Sequence, residues 1–232
     1  MRQLAPNVWQ LGGFPPNLMN VYLIGDVLID AATRWSGRRI LRQLSEHKLS
    51  LLALTHVHPD HQGAARTICE RYGVPLACHE ADVPTMEGRR PMQPDNFEVR
   101  LASRLFSGPV YPVARVLQEG DELAGFRVFH APGHTPGHIC LFREEDRVAI
   151  VGDVLNGMNL ATTWPGLHEP PSFFCTDVAE NRRSIRRLAE LKPRLMCFGH
   201  GPPLREMVKF DRFLQRLDDR ISLQVAPASN PR

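Results

Sequence analysis

Long apolar runs, paired cysteines and concentrated charge are what this chain has least of. No stretch approaches the roughly eighteen apolar residues of a membrane span, and residues 1–6 contain no apolar segment typical of a secretory signal. The five cysteines include no C-x-x-C pair, and their odd number argues against a disulfide framework. These absences argue against a membrane-spanning or disulfide-stabilised protein, and we expect a cytoplasmic one.

A basic surface for nucleic acid is also missing, since the formal net charge is only +3. The densest cations, Arg182, Arg183, Arg186 and Arg187, recur at helical spacing, a pattern typical of a solvated helix face. With 232 residues, 43% of them hydrophobic, the chain can form one large core. We therefore predict a single domain over residues 1–224 and a disordered tail over 225–232. We expect a small-molecule substrate and neither nucleic acid nor a membrane as partner, and the sequence leaves the oligomeric state open.

Three histidines and an aspartate stand within six positions, at His56, His58, Asp60 and His61. The apolar run 51–54 before them predicts a buried strand, and its two-residue period would direct His56 and His58 to the same side. Pro59 ends any strand, so Asp60 and His61 would turn towards a second ion, with His61 opening a helix through residue 66. The motif predicts a metal site with room for two ions.

Further ligand candidates follow three downstream strand patterns. His134 lies in a glycine- and proline-rich loop after residues 126–129, Asp153 follows the apolar run 148–151, and His200 follows 195–198. Side chains at strand ends and in the loops after them are typical of functional sites. His138 begins the next strand pattern, which favours a core histidine or one that supports a ligand.

Along the chain, the ligand candidates form the motifs His-x-His-x-Asp-His, Gly-His-Thr-x-Gly-His, Gly-Asp and Gly-His-Gly, in that order. This ordered series resembles the motifs of the metallo-β-lactamase superfamily. The resemblance implies an α/β protein with an αββα sandwich and a metal site at one edge of the sheets. It also implies the ligand sets. The first metal would be held by His56, His58 and His134, the second by Asp60, His61 and His200, with Asp153 bridging both. This set is similar to that of glyoxalase II and the acyl-homoserine lactonases, whereas true zinc β-lactamases place a cysteine in the second site.

The resemblance further implies a dinuclear hydrolase in which a metal-bound hydroxide attacks a thioester, lactone or ester carbonyl. Zinc is the expected metal, with iron or manganese as alternatives for the same ligands. Asp60 is the candidate catalytic group, because a carboxylate beside the hydroxide would orient it or carry its proton. Three alternatives stay open: a mononuclear iron persulfide dioxygenase, a phosphodiesterase, and a binding module with little turnover.

The remaining pattern predicts alternating strands and helices. Strands are expected at 8–11, 21–24, 27–30, 51–54, 74–78 and between 116 and 151, and helices at 36–47, 64–72, 177–191 and 205–220. Three segments, 14–20, 84–112 and 156–174, are rich in apolar residues or proline, and the second could be a lid or a subunit contact.

An apolar cleft suited to an acyl chain would draw on these segments. Its predicted contacts are Leu18, Met19, Met158, Trp164 and Phe173. Cys175 falls on a loop near the predicted site, but an inert thiol is the favoured interpretation. Candidates for binding glutathione carboxylates, Arg205, Lys209, Arg212 and Arg216, first suggest an ordinary helix face.

Overall fold

The computed structural model describes residues 1–225, which contain fourteen strands and seven α-helices. The strands are β1 (Arg2–Ala5), β2 (Val8–Gln10), β3 (Tyr22–Ile24), β4 (Val27–Ile29), β5 (Leu51–Ala53), β6 (Leu76–His79), β7 (Arg115–Leu117), β8 (Glu122–Leu123), β9 (Phe126–His130), β10 (Ile139–Arg143), β11 (Val148–Gly152), β12 (Asn156–Met158), β13 (Pro165–His168) and β14 (Leu195–Phe198). The helices are α1 (Gly37–Gln43), α2 (Pro59–Gln62), α3 (Ala65–Tyr72), α4 (Val83–Met86), α5 (Phe97–Phe106), α6 (Val178–Glu190) and α7 (Met207–Val225). Two 3-10 helices span Glu80–Asp82 and Ser172–Phe174.

Two main sheets are formed from the two halves of the chain. The first has seven strands in the order β1-β2-β3-β4-β5-β6-β7, antiparallel from β1 to β4 and parallel from β4 to β7. The second has five strands in the order β14-β11-β10-β9-β8, in which β11 and β14 run parallel. Strands β12 and β13 form a separate hairpin.

The sheets pack face to face, with helices outside each of them. Side chains such as Tyr22 and Ile24 from the first sheet and Phe126 and Ile139 from the second share one buried cluster. The outer face of the first sheet is covered by α1 and α3, and that of the second by α6 and α7. This four-layer arrangement confirms the predicted αββα sandwich.

Some predicted bounds were wrong. The helix predicted at 36–47 ends at Gln43, and the one predicted at 205–220 runs from Met207 to Val225. Thus Val225 belongs to a helix, and the rest of the predicted tail, 226–232, lies outside the described residues. Strand β1, the hairpin β12–β13 and helices α4 and α5 have no counterpart in the predictions.

The helix predicted to open at His61 instead begins at Pro59 and stops at Gln62, before α3 starts at Ala65. The interruption has a tertiary cause. The backbone N–H of Gly63 donates to Ala32 at 2.7 Å, and the carbonyl of His61 accepts from Ala31 at 2.7 Å. Because these groups bond to the segment after β4, they are not available to continue the helix.

None of the helices within residues 1–225 combines the length and the apolar character needed to cross a bilayer.

Candidate metal centre

Four of the predicted ligands come from the segment between β5 and the end of α2, beginning with His56. His58 is the extended N-cap of α2, and Pro59 occupies the first helical position, where its lack of an N–H has no cost. Asp60 and His61 follow inside this single helical turn. The segment is buried apart from Asp60, whose side chain is 26% exposed. Only Asp60 among these ligands therefore keeps substantial contact with solvent.

The other ligands come from the second sheet. Asp153 follows β11 and His200 follows β14, and since these strands are parallel, their carboxyl ends meet at one edge. Gly199 makes this approach possible, because a Cβ atom there would lie 2.0 Å from Oδ1 of Asp153. His134 comes from the loop between β9 and β10.

All seven predicted ligands converge at the edge of the sandwich. Their donor atoms form three groups, each with its atoms within 4.8 Å of one another. The groups are His56, His58 and His134; Asp60, His61 and His200; and His56, His61 and Asp153. Below, the first is called the three-histidine group and the second the Asp60 group.

Asp153 lies between these two groups. Its Oδ2 is 3.9 Å from Nε2 of His134 and 3.0 Å from Nε2 of His200, while its Oδ1 is 3.5 Å from Nε2 of His61. In the Asp60 group itself, Oδ2 of Asp60 is 3.2 Å from Nε2 of His200. The Oδ2 atom of Asp153 therefore lies between a member of each group, and its Oδ1 atom faces His61 of the Asp60 group.

The donor set fits a pair of cations. The Nε2 atoms of His56, His61 and His134 and the Oδ1 atom of Asp153 are buried without a hydrogen-bond partner. Buried polar atoms are rarely left unpaired, so several unpaired atoms that converge in this way indicate ligands for a cation. Imidazole and carboxylate donors accept zinc, iron or manganese.

Each imidazole is fixed through its other nitrogen, which sets the tautomer. Nδ1 of His61 donates to Asp30 at 2.9 Å, and Nδ1 of His56 donates to the hydroxyl of Thr55 at 3.1 Å. Thr55 in turn donates its hydroxyl to Asp30 at 2.9 Å. For His134, the nearest partner is Sγ of Cys175, 3.7 Å from Nδ1.

Two further histidines are held by backbone carbonyls from distant segments. Nε2 of His58 donates to the carbonyl of Gln93 at 2.6 Å, and Nδ1 of His200 donates to the carbonyl of Leu18. Both carbonyls belong to segments expected to form the substrate pocket. The pocket walls and the ligand geometry are therefore physically connected.

Electrostatics differ between the two groups of ligands. Burial, reinforced by neighbouring imidazoles, lowers the pKa of His56 and His134 well below the usual histidine range, so both are neutral. Burial alone would also lower the pKa of His200, but the carboxylates of Asp153 and Asp60 raise it to about 10. The three-histidine group is thus ready to bind a cation, whereas the Asp60 group must first release a proton.

A family model described as the metallo-beta-lactamase superfamily matches residues 15–200. The chain belongs to this superfamily. A Bacillus subtilis relative named probable metallo-hydrolase YflN is 31% identical over 224 residues, covering 83% of this chain and 84% of the relative. The hydroxyacylglutathione hydrolase GloC of Haemophilus influenzae is 36% identical, but over only 51% of this chain and 57% of the relative.

Solved structures agree with this membership. The metallo-beta-lactamase family protein TTHA1429 of Thermus thermophilus gives a TM-score of 0.69 at 25% identity, covering 99% of this chain and 85% of that chain. TTHA1623, solved in a di-iron-bound form, gives a TM-score of 0.62 at 31% identity, covering 85% and 93%. The predicted superfamily is confirmed, while the likeness to glyoxalase II rests on a match over half of the chain.

Five of the seven ligands line a cavity at this edge of the sandwich. The cavity, of about 120 Å³, is lined by Met19, His58, Pro59, Asp60, Ala102, Phe106, His134, Asp153, Leu160, Pro170, Pro171, Phe174 and His200. No lysine or arginine of residues 1–225 is among them. Apart from the ligands, its surface is apolar.

The predicted substrate contacts are only partly brought to this cavity. Met19 lines it, Leu18 supplies the carbonyl that holds His200, and Phe173 packs against Phe174, with ring centroids 4.7 Å apart. Met158 is buried in the hairpin opposite Pro165, away from this lining. Trp164 is 75% exposed and does not line the cavity either.

Several supporting residues were missed at the level of sequence. Asp30 ends an apolar strand pattern as Asp153 does, and this signal could have identified it. Gln93 and Cys175 contribute through contacts that no local pattern reveals. His138 lies outside the three ligand groups, and its Nε2 accepts the backbone N–H of Asp153 at 2.9 Å, which agrees with a supporting role.

Proposed function

We propose that the protein is a metal-dependent hydrolase of neutral carbonyl compounds, namely esters, thioesters or lactones that carry an apolar substituent. The observation behind this proposal is a cavity that is lined by five of the seven metal ligands and, within residues 1–225, by no lysine or arginine. The seven ligands would hold a pair of divalent cations, zinc by expectation, which when bound would supply a hydroxide nucleophile at neutral pH and polarise a carbonyl group.

The apolar walls would orient the substrate. Ala102, Phe106 and Phe174 line one side, so an acyl or alkyl group would exclude water there while the carbonyl faces the ligands. Away from the metal ligands, this lining gives no countercharge for the carboxylates of a glutathione thioester. It therefore supports a neutral substrate over a glutathione thioester.

The cations considered as glutathione contacts lie elsewhere. Arg205, Lys209 and Arg216 line a different cavity, together with Pro202 and Leu204. Arg205 also donates to the carbonyl of Leu4. Their position supports the interpretation that they form an ordinary surface and do not hold the substrate.

Asp60 is the proposed proton-handling group. It is the partly exposed carboxylate of the ligand set and it lines the cavity. Burial alone would raise its pKa, but the hydrogen bond with His200 lowers it well below the usual range, so it is ionised. An ionised carboxylate that lines the cavity would orient an attacking nucleophile by accepting its hydrogen bond.

The test combines metal analysis with a substrate panel, using zinc-loaded, iron-loaded and chelated protein. We expect kcat/KM to be highest for a neutral ester or lactone with an aliphatic chain, and to exceed that for S-lactoylglutathione and for a phosphodiester. The His200→Ala variant controls for contaminating esterases. Preference for the phosphodiester, or oxygen uptake on a persulfide with one iron bound, would contradict the proposal.

A further inference from the structure

One buried carboxylate plays no part in the ligand set described above. Asp82 ends the 3-10 helix that follows β6, and it is only 3% exposed. Its Oδ2 accepts hydrogen bonds from the backbone N–H of Val57 and from the hydroxyl of Thr135, both at 3.0 Å. Its Oδ1 accepts from the backbone N–H of Gly137 at 2.9 Å. All three donors are protein groups, so the carboxylate is well satisfied.

These donors stand beside the members of the three-histidine group. Val57 separates His56 from His58 on the first-sheet side, and Thr135 directly follows His134 on the second-sheet side. Asp82 thus joins the two chain segments that must meet for these three imidazoles to converge. It touches none of the imidazoles itself.

The loop around Asp82 is shaped for this contact. A Cβ atom at Gly137 would lie 2.5 Å from Cγ of Asp82, so the loop reaches the carboxylate only because residue 137 is glycine. Within residues 1–225, no lysine or arginine forms an ion pair with Asp82. Burying a charge without an opposite partner is costly, and the three hydrogen bonds from the two ligand-bearing loops offset that cost.

The Asp60 group has a separate support. Asp30 contacts His61 directly, and His200 is held by Leu18. Neither contact involves Asp82. Asp82 therefore contacts only segments of the three-histidine group, whereas Asp30 holds His61 directly and reaches His56 through Thr55.

We propose that Asp82 is a positioning residue that assembles the three-histidine group by tying its two loops together, and that the Asp60 group does not depend on it. The inference rests on the proposed metal-dependent function. It concerns metal binding by this chain and not the identity of the substrate.

The experiment measures zinc affinity in two single-site backgrounds, by competition with a chromophoric chelator and without substrate. His200→Ala leaves the three-histidine group intact, and His134→Ala leaves the Asp60 group intact. We expect Asp82→Asn to weaken zinc binding about 10- to 100-fold in the His200→Ala background, the usual effect of losing a group that orients metal ligands. In the His134→Ala background, zinc affinity should be unchanged.

Two further variants separate positioning from general destabilisation. Thr135→Val removes one of the three donors and should produce a smaller loss in the same background only. Ser184→Ala removes a 2.7 Å hydrogen bond to Pro132, which lies in the same loop but does not contact Asp82. Its effect on zinc affinity should be the same in both backgrounds. Thermal unfolding of the metal-free variants checks that they fold.

The inference would be overturned if Asp82→Asn weakened zinc binding equally in both backgrounds. It would also be overturned if Asp82→Asn did not weaken zinc binding in the His200→Ala background. If Asp82→Asn does not fold, the comparison of Thr135→Val between backgrounds decides by the same criterion. Because zinc affinity is measured without substrate, a failed hydrolysis panel leaves this result interpretable. The two proposals can therefore fail independently.

Discussion

At the scale of single residues, the site is organised by hydrogen bonds behind its ligands. Asp30 is the clearest case, since its carboxylate receives Nδ1–H of His61 and both the N–H and the hydroxyl of Thr55. It adopts a φ of 64°, a left-handed conformation that aspartate tolerates better than most residues. The backbone after β4 is thereby turned to present the carboxylate to His61.

We expect Asp30→Asn to weaken metal binding by the Asp60 group about 10- to 100-fold. An asparagine amide that donates to Nδ1 of His61 would place the imidazole proton on Nε2, where the metal must bind. Zinc affinity in the His134→Ala background measures the effect. Asp26→Asn, at an exposed carboxylate in the preceding turn, is the matched control, and an equal effect of both variants would contradict the expectation.

Sequence reasoning named all seven side chains that the structure brings together, because each stands in a dense motif or directly after an apolar strand. The groups behind them were largely missed. The carbonyl that holds His200 lies 182 residues away at Leu18, and the carbonyl that holds His58 lies 35 residues away at Gln93. A backbone carbonyl carries no residue signature, so only the fold reveals these contacts.

At the scale of secondary structure elements, α5 is the element on which substrate choice should depend. Ala102 and Phe106 line the cavity that holds the metal ligands, whereas Val99 and Ser103 line a second cavity of about 320 Å³. The helix begins with Asn96 as its N-cap, which accepts from the N–H of Val99 at 2.9 Å. The same helix therefore separates two cavities.

We expect Phe106→Ala to raise KM for a medium-chain ester about tenfold, the effect of losing about 1.4 kcal/mol of apolar contact. KM for the acetyl ester of the same alcohol should change little, since a short acyl group does not reach the helix. Steady-state kinetics on the two esters measure the difference. Phe97→Ser, on the same helix but 74% exposed and outside the cavity lining, is the control. An equal effect on both esters would argue against an acyl-binding wall.

Helix α5 was not predicted because its sequence gives a mixed signal. Phe97, Leu101 and Leu105 recur every four residues but are exposed, so the apolar stripe does not mark a core face. Prolines on both sides of it, at 91, 94, 109 and 112, favour loop over helix. In contrast, α6 was predicted closely, since Asp177 caps it by accepting from Glu180 and its buried face has regular spacing.

At the scale of the whole molecule, the ligands come from both sheets. The turn after β5 supplies four of them, and the loops after β9, β11 and β14 supply His134, Asp153 and His200. A bound cation would therefore link the two halves of the sandwich. It would also stabilise the folded state, because the unfolded chain offers no such site.

Metal removal should lower the stability of the protein. At a zinc concentration one hundred times Kd, binding adds about 2.7 kcal/mol to the free energy of unfolding, which corresponds to about 5 to 10 °C in Tm for a domain of this size. Thermal unfolding of zinc-loaded and chelated protein measures the shift. The shift should shrink in a His56→Ala variant, and identical midpoints with and without chelator would contradict a metal shared by both sheets.

The overall architecture was predictable mainly because the order of the histidine and aspartate motifs resembles that of a known superfamily. The alternation of strands and helices indicates only an α/β protein, and the resemblance supplied the two face-to-face sheets. No sequence pattern predicted which loops pack against the site. One example is the segment at Ala31 and Ala32, whose hydrogen bonds to His61 and Gly63 interrupt the helix that begins at Pro59. These are long-range contacts, formed once the sheets have packed.

The bond between Gln93 and His58 has a consequence for changing what the enzyme accepts. Replacing residues 84–112 by a loop of another shape is an obvious way to redesign specificity, yet that exchange would also remove the acceptor that orients a metal-binding imidazole. A graft should therefore keep the backbone path at Gln93, or its success will be limited by cofactor retention before any new substrate is tried.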